Sequence, residues 1–598
     1  MQAFRLFRSF LVLCTVAASP ALAAPHTAEL LVADADATAF ELGGEASGSS
    51  TAVRVEATGQ PHAQALRVAV PEAVSPRWAV QVTHTVDAPI RAGDALLATF
   101  WLRCVESTTG EGQVRFDFEM NAEPHEKSLS QVLYAPAGWK RFQLPFEAGR
   151  DFPAGGSQAA FQVAFLRQTV ELGGFTLENF GQGVSADELP RTRRTYPGMA
   201  EDAPWRAEAA SRIDRIRKAD LTVTVVDADG EPVEGAAVAV EMTGHAFPFG
   251  SAVTSEWLTR EDAEGERYRE LVDRLFSEVV LESDLKWTSE GWLPLGRIDA
   301  ALAWLASRGK PVRGHCLVWP GWPYVPDRIE ALADDPAALA AAVEQRIRSA
   351  ASRYAGRVVD WDVVNEPHTN HDLQDLLGPG ALADWFRLAR AADPDAVLYL
   401  NDYGQLTAGE RETPHQQAHL DHIAHLLEVG APLGGIGLQG HFSAELTAPT
   451  TLWRILDRFA GFGLPIKVTE FDLNFDDPEL QAAYLRDFFT AMFSHEAVDG
   501  VLMWGFWEKA HWRPQAALYN ADFSPRPLGT AYEELILGDW WTDEAATTGA
   551  DGTATVRGFL GGHRVTATHG GVTRTAAAEL TAGGGGVEIR LPRDAAGG

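Results

Sequence analysis

VVDWDVVNE, residues 358–366, holds five Val or Trp side chains among nine residues and ends on a carboxamide and a carboxylate, Asn365 and Glu366. It has the length of a strand, and its apolar density suits a strand buried on both faces, as in a parallel sheet. Seven further runs of this kind recur: FPFGSAV (247–253), SEVVLES (277–283), PVRGHCLVW (311–319), AVLYLNDY (396–403), GIGLQGHF (435–442), PIKVTEFD (465–472) and GVLMWGFW (500–507). Between them lie stretches such as DAALAWLASRG, PAALAAAVEQRIRSAASRYA, GALADWFRLARAA and TLWRILDRFAGFG. Their Ala and Leu favour helix, and their apolar spacing gives each a packing face. Eight strand–helix units predict a (β/α)8 TIM barrel over 245–540, with its reactive groups at the C-terminal ends of the strands.

Outside the barrel, the sequence reads as all-β. From 24 to 184, ALRVAV, WAVQVTH, ALLATFWLR, QVRFDFEM, KRFQLPF and AAFQVAF alternate apolar and polar residues between turns. That pattern predicts a β-sandwich. It resembles the jelly-roll modules that bind carbohydrate beside many secreted polysaccharidases, which would make this part a glycan-binding module or a spacer. Trp78, Trp101, Trp139 and Phe118 are its available aromatic side chains, and the sequence assigns none of them to a ligand. A polar, Pro-containing linker and a helix through RAEAASRIDRIRKA fill 185–218, and LTVTVVDADGEPVEGAAVAVEM predicts a small β hairpin over 219–244. The remainder, 541–598, predicts a small C-terminal β domain; its AGGGG run lacks the strand–helix setting of a phosphate loop.

The composition sets outer bounds. A chain of 598 residues suggests three or four folded units, and 46% apolar residues suffice for large cores. With 82 acidic against 50 basic residues, the net charge of −32 disfavours nucleic acid or an anionic membrane as the principal partner. Arg5 and Arg8 precede the apolar SFLVLCTVAAS, and Ala21-Leu22-Ala23 supplies small residues at cleavage spacing. Residues 1–23 therefore read as a signal peptide of a secreted or periplasmic protein, with no integral membrane segment afterwards. Removing it leaves Cys104 and Cys316 in different expected domains, as buried thiols or as a cross-domain disulfide; this is no disulfide-built scaffold.

Glu366 closes WDVVNEP and Glu470 sits near the end of KVTEFD. Two carboxyl groups at one barrel end can divide the hydrolysis of a glycosidic bond: one protonates the leaving oxygen while the other attacks the anomeric carbon.

Together WDVVNEP, LQGHF, VTEFD and LYLNDY resemble glycoside hydrolase family 10, best known for endo-β-1,4-xylanases, over roughly 245–535. The resemblance implies Glu366 as general acid/base and Glu470 as nucleophile, in a retaining double displacement that requires a carboxyl separation of roughly 5–5.5 Å. It implies a hydrogen bond from Asn365 to the sugar hydroxyl beside the reacting carbon. His441 and Asp472 would support Glu470, with Gln439 in the same network. Glu282, Lys286 and His315 would bind sugar hydroxyls before the scissile bond, and Trp319, Trp504 and Trp512 would wall the cleft. Asn401 and Tyr403 resemble further cleft residues, while Glu508 and Arg513 carry no defined role. The implied partner is a β-linked polysaccharide, xylan foremost, with no cofactor and no metal. The sequence favours no particular oligomeric state.

Two departures bear on specificity. Ser283 stands where the family commonly has Asn, and a hydroxyl cannot reproduce the two-headed carboxamide. In RGHCLVWPGW, Pro320 and Trp322 occupy positions where polar residues are common. They leave open another β-glycan or a decorated xylan as substrate. The flanking β domains also admit a noncatalytic glycan-binding protein.

Overall fold

The structure is a computed structural model that describes residues 28–108, 110–443 and 445–592. The expected signal peptide, 1–23, lies outside the described residues. The chain divides into two compact units, with the boundary between Arg193 and Arg194 and with Val132–Tyr134 grouped in the second.

The first unit is built from two sheets. In one, Thr51–Glu56, Gln64–Val70, Gln168–Gly181, Ala95–Ser107 and Lys140–Glu147 lie side by side, and Glu29–Asp34 pairs with Gln168–Gly181. The other runs Glu41–Gly43, Gln81–Val86, Ser157–Gln162, Gly112–Met120 and Lys127–Ala135. Alternation aims Phe116 and Phe118 of the second sheet at the first, where Phe116 meets Phe100 and Phe118 meets Phe146 at ring distances of 5.3 and 4.9 Å. This aromatic layer joins the sheets into the expected sandwich. Phe118 is wholly buried in it, Trp101 and Trp139 are half-buried, and Trp78 stays 58% exposed.

In the second unit, eight parallel strands form a closed barrel. They are Phe249–Val253, Glu278–Leu281, Val312–Gly314, Asp360–Asn365, Val397–Asp402, Gly435–Leu438, Ile466–Leu473 and Val498–Met503; each pairs with the next and the first pairs with the last. The helices between them include Leu295–Ser307, Pro336–Tyr354, Ala381–Ala392, Pro414–Glu428, Pro449–Ala460 and Pro478–Phe493, over the stretches read as helical. The barrel interior also holds charge. Arg313 lies 2.9 Å from Asp360, and Lys467 lies 2.7 Å from both Glu278 and Asp360, all of them buried. Buried ions are tolerated because each is paired.

The β elements flanking the barrel differ from expectation. Lys218–Val226 and Ala237–His245 were expected to pair as a hairpin, but they lie in separate sheets. The former runs between Thr553–Phe559 and Gly585–Arg590, the latter between Asp543–Thr547 and Gly561–His569. The physical reason is burial. Leu221, Val223 and Val225 form one apolar face and Val238 and Val240 another; a lone hairpin cannot cover both. Strands from beyond the barrel complete a single core with Val565, Ala567 and Ile589. The barrel is thus inserted into one composite β domain. The helix Pro204–Arg217 leads into it and buries Trp205, Ala209 and Ile213. Arg217 ends that helix by donating to the carbonyls of Phe493, His495 and Val498, beside the last barrel strand. Cys104 and Cys316 are both free and buried, each within its own unit.

Candidate active site

Glu366 directly follows the fourth barrel strand, and Glu470 lies near the end of the seventh. Glu366 adopts φ 54°, in the left-handed region that few residues with a Cβ occupy, and its N–H donates to Asn401 O at 2.8 Å. This turn sends its side chain into the barrel mouth. There the Gln439 amide donates to Oε1 at 3.0 Å and the Asn370 amide to Oε2 at 3.1 Å. Burial pushes the Glu366 pKa up to about 7, helped by the negative charges of Glu470 and Asp402 and opposed by the Gln439 hydrogen bond.

Glu470 shares that burial but not its outcome. Burial alone would raise its pKa. The His441 hydrogen bond and the charges of His315, His441 and Lys286 prevail and hold it below the usual carboxylate range. Asn401 Nδ2 donates to Oε1 at 2.8 Å, and His441 Nε2 lies 3.2 Å from Oε2. A two-residue strand, His441–Phe442, pairs beside the seventh strand and sets His441 opposite Asp472. His441 Nδ1 lies 2.8 Å from Asp472 Oδ2. Although burial works against a charge on this ring, the two carboxylates outweigh it and push the His441 pKa up to about 9. As an imidazolium it donates from both nitrogens. Asp472 in turn accepts from Trp512 Nε1 at 2.8 Å and Arg513 Nη1 at 3.0 Å.

Asn365 joins the two carboxylate networks. Its Oδ1 accepts from Asn401 Nδ2 at 2.9 Å and Gln439 Nε2 at 3.3 Å, which fixes the amide orientation. Its Nδ2 is buried without a partner among the described residues, which leaves one amide donor unspent. Gln439 thus joins the network through Asn365, and its amide also donates to Glu366.

Of the remaining expected residues, His315, Lys286 and Glu282 are close enough to Glu470 to share its electrostatics. His315 Nδ1 lies 2.8 Å from Asp362 Oδ2 and 4.0 Å from Glu470 Oε1. Burial raises the Glu282 pKa, with Glu470 and Asp284 adding to it against Lys286. Lys286 Nζ stands 5.4 Å from the Trp319 ring centre and 5.8 Å from that of Trp504. Trp504 is buried against the barrel interior, 4.9 Å from the His315 ring, whereas Trp512 is 49% exposed and lies 4.9 Å from the His441 ring. Of the two, Trp512 is the exposed one, with the Arg513 guanidinium 4.0 Å over its ring. Glu508 takes no part: it pairs with Arg526 at 3.0 Å.

Three contributors were not read from the sequence. Asn370 stands four residues after Glu366 on the turn closed by its N–H to Glu366 O, a spacing that could have flagged it. Tyr324 stacks on Trp319 with ring centres 3.7 Å apart and 3° between planes; no local motif announces it. Asp362, on the fourth strand, fixes the His315 ring and is itself held by Arg313. Ser283 is exposed, and Trp322 opens the short turn that delivers Tyr324, its N–H donating to Asp372 at 2.9 Å. Among the described residues, no group of three or more His, Cys, Asp or Glu side chains has the arrangement of a metal site.

The mouth thus holds one carboxyl group that titrates near neutrality and one held below the usual carboxylate range, linked by amides and lined with aromatic rings. Such a pair can transfer a proton and supply a nucleophile in one step.

The model of glycosyl hydrolase family 10 matches residues 239–535. An anti-sigma-I factor, RsgI6, of Acetivibrio thermocellus is 32% identical over 387 residues, covering 63% of this chain and 49% of its own. Endo-1,4-beta-xylanase 5 of Pyricularia oryzae is 30% identical over 286 residues, covering 44% of this chain and 69% of its own. The solved structure of native xylanase 10B from Thermotoga maritima aligns at 27% identity with a TM-score of 0.45, covering 49% of this chain and 96% of that one. The chain spans about half or less of the length of several of its curated relatives.

Proposed function

From the premise that the chain belongs to glycosyl hydrolase family 10, we propose that it is a retaining endo-1,4-β-xylanase-like hydrolase acting on β-1,4-linked xylan. The observation that carries this reading is the opposite electrostatic treatment of two glutamates in one polar network. Glu366, held near a pKa of about 7, protonates the leaving glycosidic oxygen. Glu470, held ionised, attacks the anomeric carbon and forms a glycosyl ester. Once its negative charge is consumed, Glu366 loses one source of its raised pKa and, now deprotonated, takes a proton from the incoming water. Asn365 Nδ2 donates to the hydroxyl beside the reacting carbon. Glu282, Lys286 and His315 hold the sugar before the scissile bond, and Trp512 covers an apolar sugar face. Ser283 and Trp322 favour a second reading of substrate alone, a decorated xylan or another β-glycan cut by the same chemistry. We place the reaction outside the cytoplasm on the strength of the basic-then-apolar N-terminal stretch.

The test is product analysis on linear and decorated xylans and on a β-glucan, with the anomeric configuration of the first product followed by NMR. Release of reducing ends as the β-anomer supports the proposal. A purified chain inactive on all of them, or one releasing the α-anomer, rejects it.

A further inference from the structure

The first unit carries a built polar groove on the outward face of its second sheet, remote in sequence from the barrel. Across the adjacent strands Gln81–Val86, Ser157–Gln162 and Gly112–Met120, the register places Gln81 beside Gln162 and Gln162 beside Arg115. Two residues along, Ala160 lies between Thr83 and Asp117. The methyl of Ala160 leaves the floor low while the amides and carboxylates on either side stand up. Trp78 and the turn through Glu123 and His125 contribute to the walls of a groove of about 310 Å³.

The polar side chains of this floor are held in place. Asp117 accepts from Arg115 Nε at 3.0 Å and Gln162 Nε2 at 2.7 Å; Glu119 accepts from Lys127 Nζ at 2.6 Å and Gln158 Nε2 at 2.8 Å. Asp117, Glu119 and Gln162 are all at least nine-tenths buried, on the side of the sheet that faces away from the core. Gln162 gives its Nε2 to Asp117, and its buried Oε1 has no partner among the described residues; the same holds for Gln81 Oε1 next to it. A buried acceptor left unpaired costs roughly 1–3 kcal/mol, which a ligand donor can recover. Beside these acceptors stands the broad, rigid and exposed face of Trp78.

We propose that this groove binds a segment of neutral glycan chain, with a sugar's apolar face on Trp78 and its hydroxyls donating to Gln162 and Gln81. The cations of the groove are already engaged: Arg115 with Asp117, and Lys127 with Glu119. That pairing disfavours an anionic ligand. An aromatic plane beside fixed amide acceptors suits a molecule that is apolar on its faces and hydroxylated at its edges. The assignment does not depend on what the barrel cleaves.

The test uses the full chain carrying Glu470→Ala, so that no probe is consumed, alone and combined with Trp78→Ala or Gln162→Leu. Each protein is titrated calorimetrically with xylohexaose, cellohexaose and a mixed-linkage β-glucan hexasaccharide, with maltohexaose and inorganic phosphate as further probes. Near-ultraviolet circular dichroism checks that the sandwich is intact. We expect a binding event with at least one of the neutral oligosaccharides that each second substitution weakens by about tenfold or more, the loss typical of an anchoring aromatic or a buried acceptor. Binding at the barrel persists in these variants as a separate event. Trp78→Ala in the otherwise natural chain should leave hydrolysis of a small aryl glycoside unchanged. The assignment is overturned if no event with any neutral oligosaccharide depends on Trp78 and Gln162, or if phosphate alone binds there. A chain that hydrolyses nothing yet shows the Trp78-dependent event upholds the groove while rejecting the reaction assigned to the barrel.

Discussion

His441 presents Nε2 to Glu470 Oε2 at 3.2 Å, and it does so as a cation, because Asp472 on its other side helps to push its pKa up to about 9. The same positive charge is felt by both glutamates. It lowers Glu470 by hydrogen bond and charge, and it lowers Glu366 by charge alone.

That relationship fixes how the pH profile responds to His441→Gln. Turnover requires Glu470 ionised, which sets the acid limb, and Glu366 protonated, which sets the basic limb near pH 7. Removing the imidazolium raises both pKa values, so both limbs of the kcat/KM profile move to higher pH. The rate at the optimum falls by about 30-fold, the equivalent of roughly 2 kcal/mol for a hydrogen bond to a charged group. Limbs that stay in place would show that His441 acts by packing alone.

Glu366 and Glu470 should separate by leaving group. Glu470→Ala removes the nucleophile and abolishes turnover on every substrate. Glu366→Ala loses the acid, so an aryl glycoside with a good leaving group should retain much of its first step, and added azide should restore the second by replacing the base-assisted water. Measuring kcat on xylan and on activated aryl xylosides, with and without azide, checks this. Equal and unrescued losses in two folded variants would reject the division of roles.

Asn370→Ala tests the donor on the other oxygen of Glu366. Its amide sits 3.1 Å from Oε2 and favours the ionised form. Without it the Glu366 pKa rises, and the basic limb moves to higher pH while the acid limb stays, because Asn370 does not touch Glu470. The shift is smaller than for His441→Gln, since no charge is removed. We expect a loss of about fivefold in kcat on xylan, equivalent to roughly 1 kcal/mol.

How much of this was legible follows from the range of each interaction. The barrel was readable because a buried parallel strand writes its identity into a few consecutive residues, as VVDWDVVNE does; six of the eight strands fall within the runs read, the seventh passes the end of its run by one residue, Leu473, and the eighth begins two residues before its own, at Val498. The two glutamates were readable for the same reason, Glu366 directly after its strand and Glu470 in the second half of its own. The bond from Gln439 to Glu366 was not readable, because its position beside His441 in sequence says nothing of which way its amide turns. Tyr324 was missed because its stacking on Trp319 depends on the turn after Trp322. The hairpin reading of 219–244 failed because a strand's partner is not encoded next to it: Leu221 and Val565 share one core across more than three hundred residues.

The composite β domain yields a last prediction, about stability. If 541–598 were an accessory domain, a chain ending at residue 540 would keep the thermal transition of the rest. The pairing says otherwise. Removing that segment strips the partners from Lys218–Val226 and Ala237–His245 and exposes Leu221, Val223 and Val240, which are now fully buried. The truncated chain should aggregate or lose the cooperative transition of this domain in scanning calorimetry, even though every residue of the proposed catalytic site is retained. Leu221→Ala offers a milder version. A fully buried leucine cut to alanine costs about 2–5 kcal/mol, so it should lower the transition temperature of the β domain while leaving kcat on a small aryl glycoside near its natural value. A truncated chain as stable as the whole would mean that the strands before the barrel hold their fold without those after it.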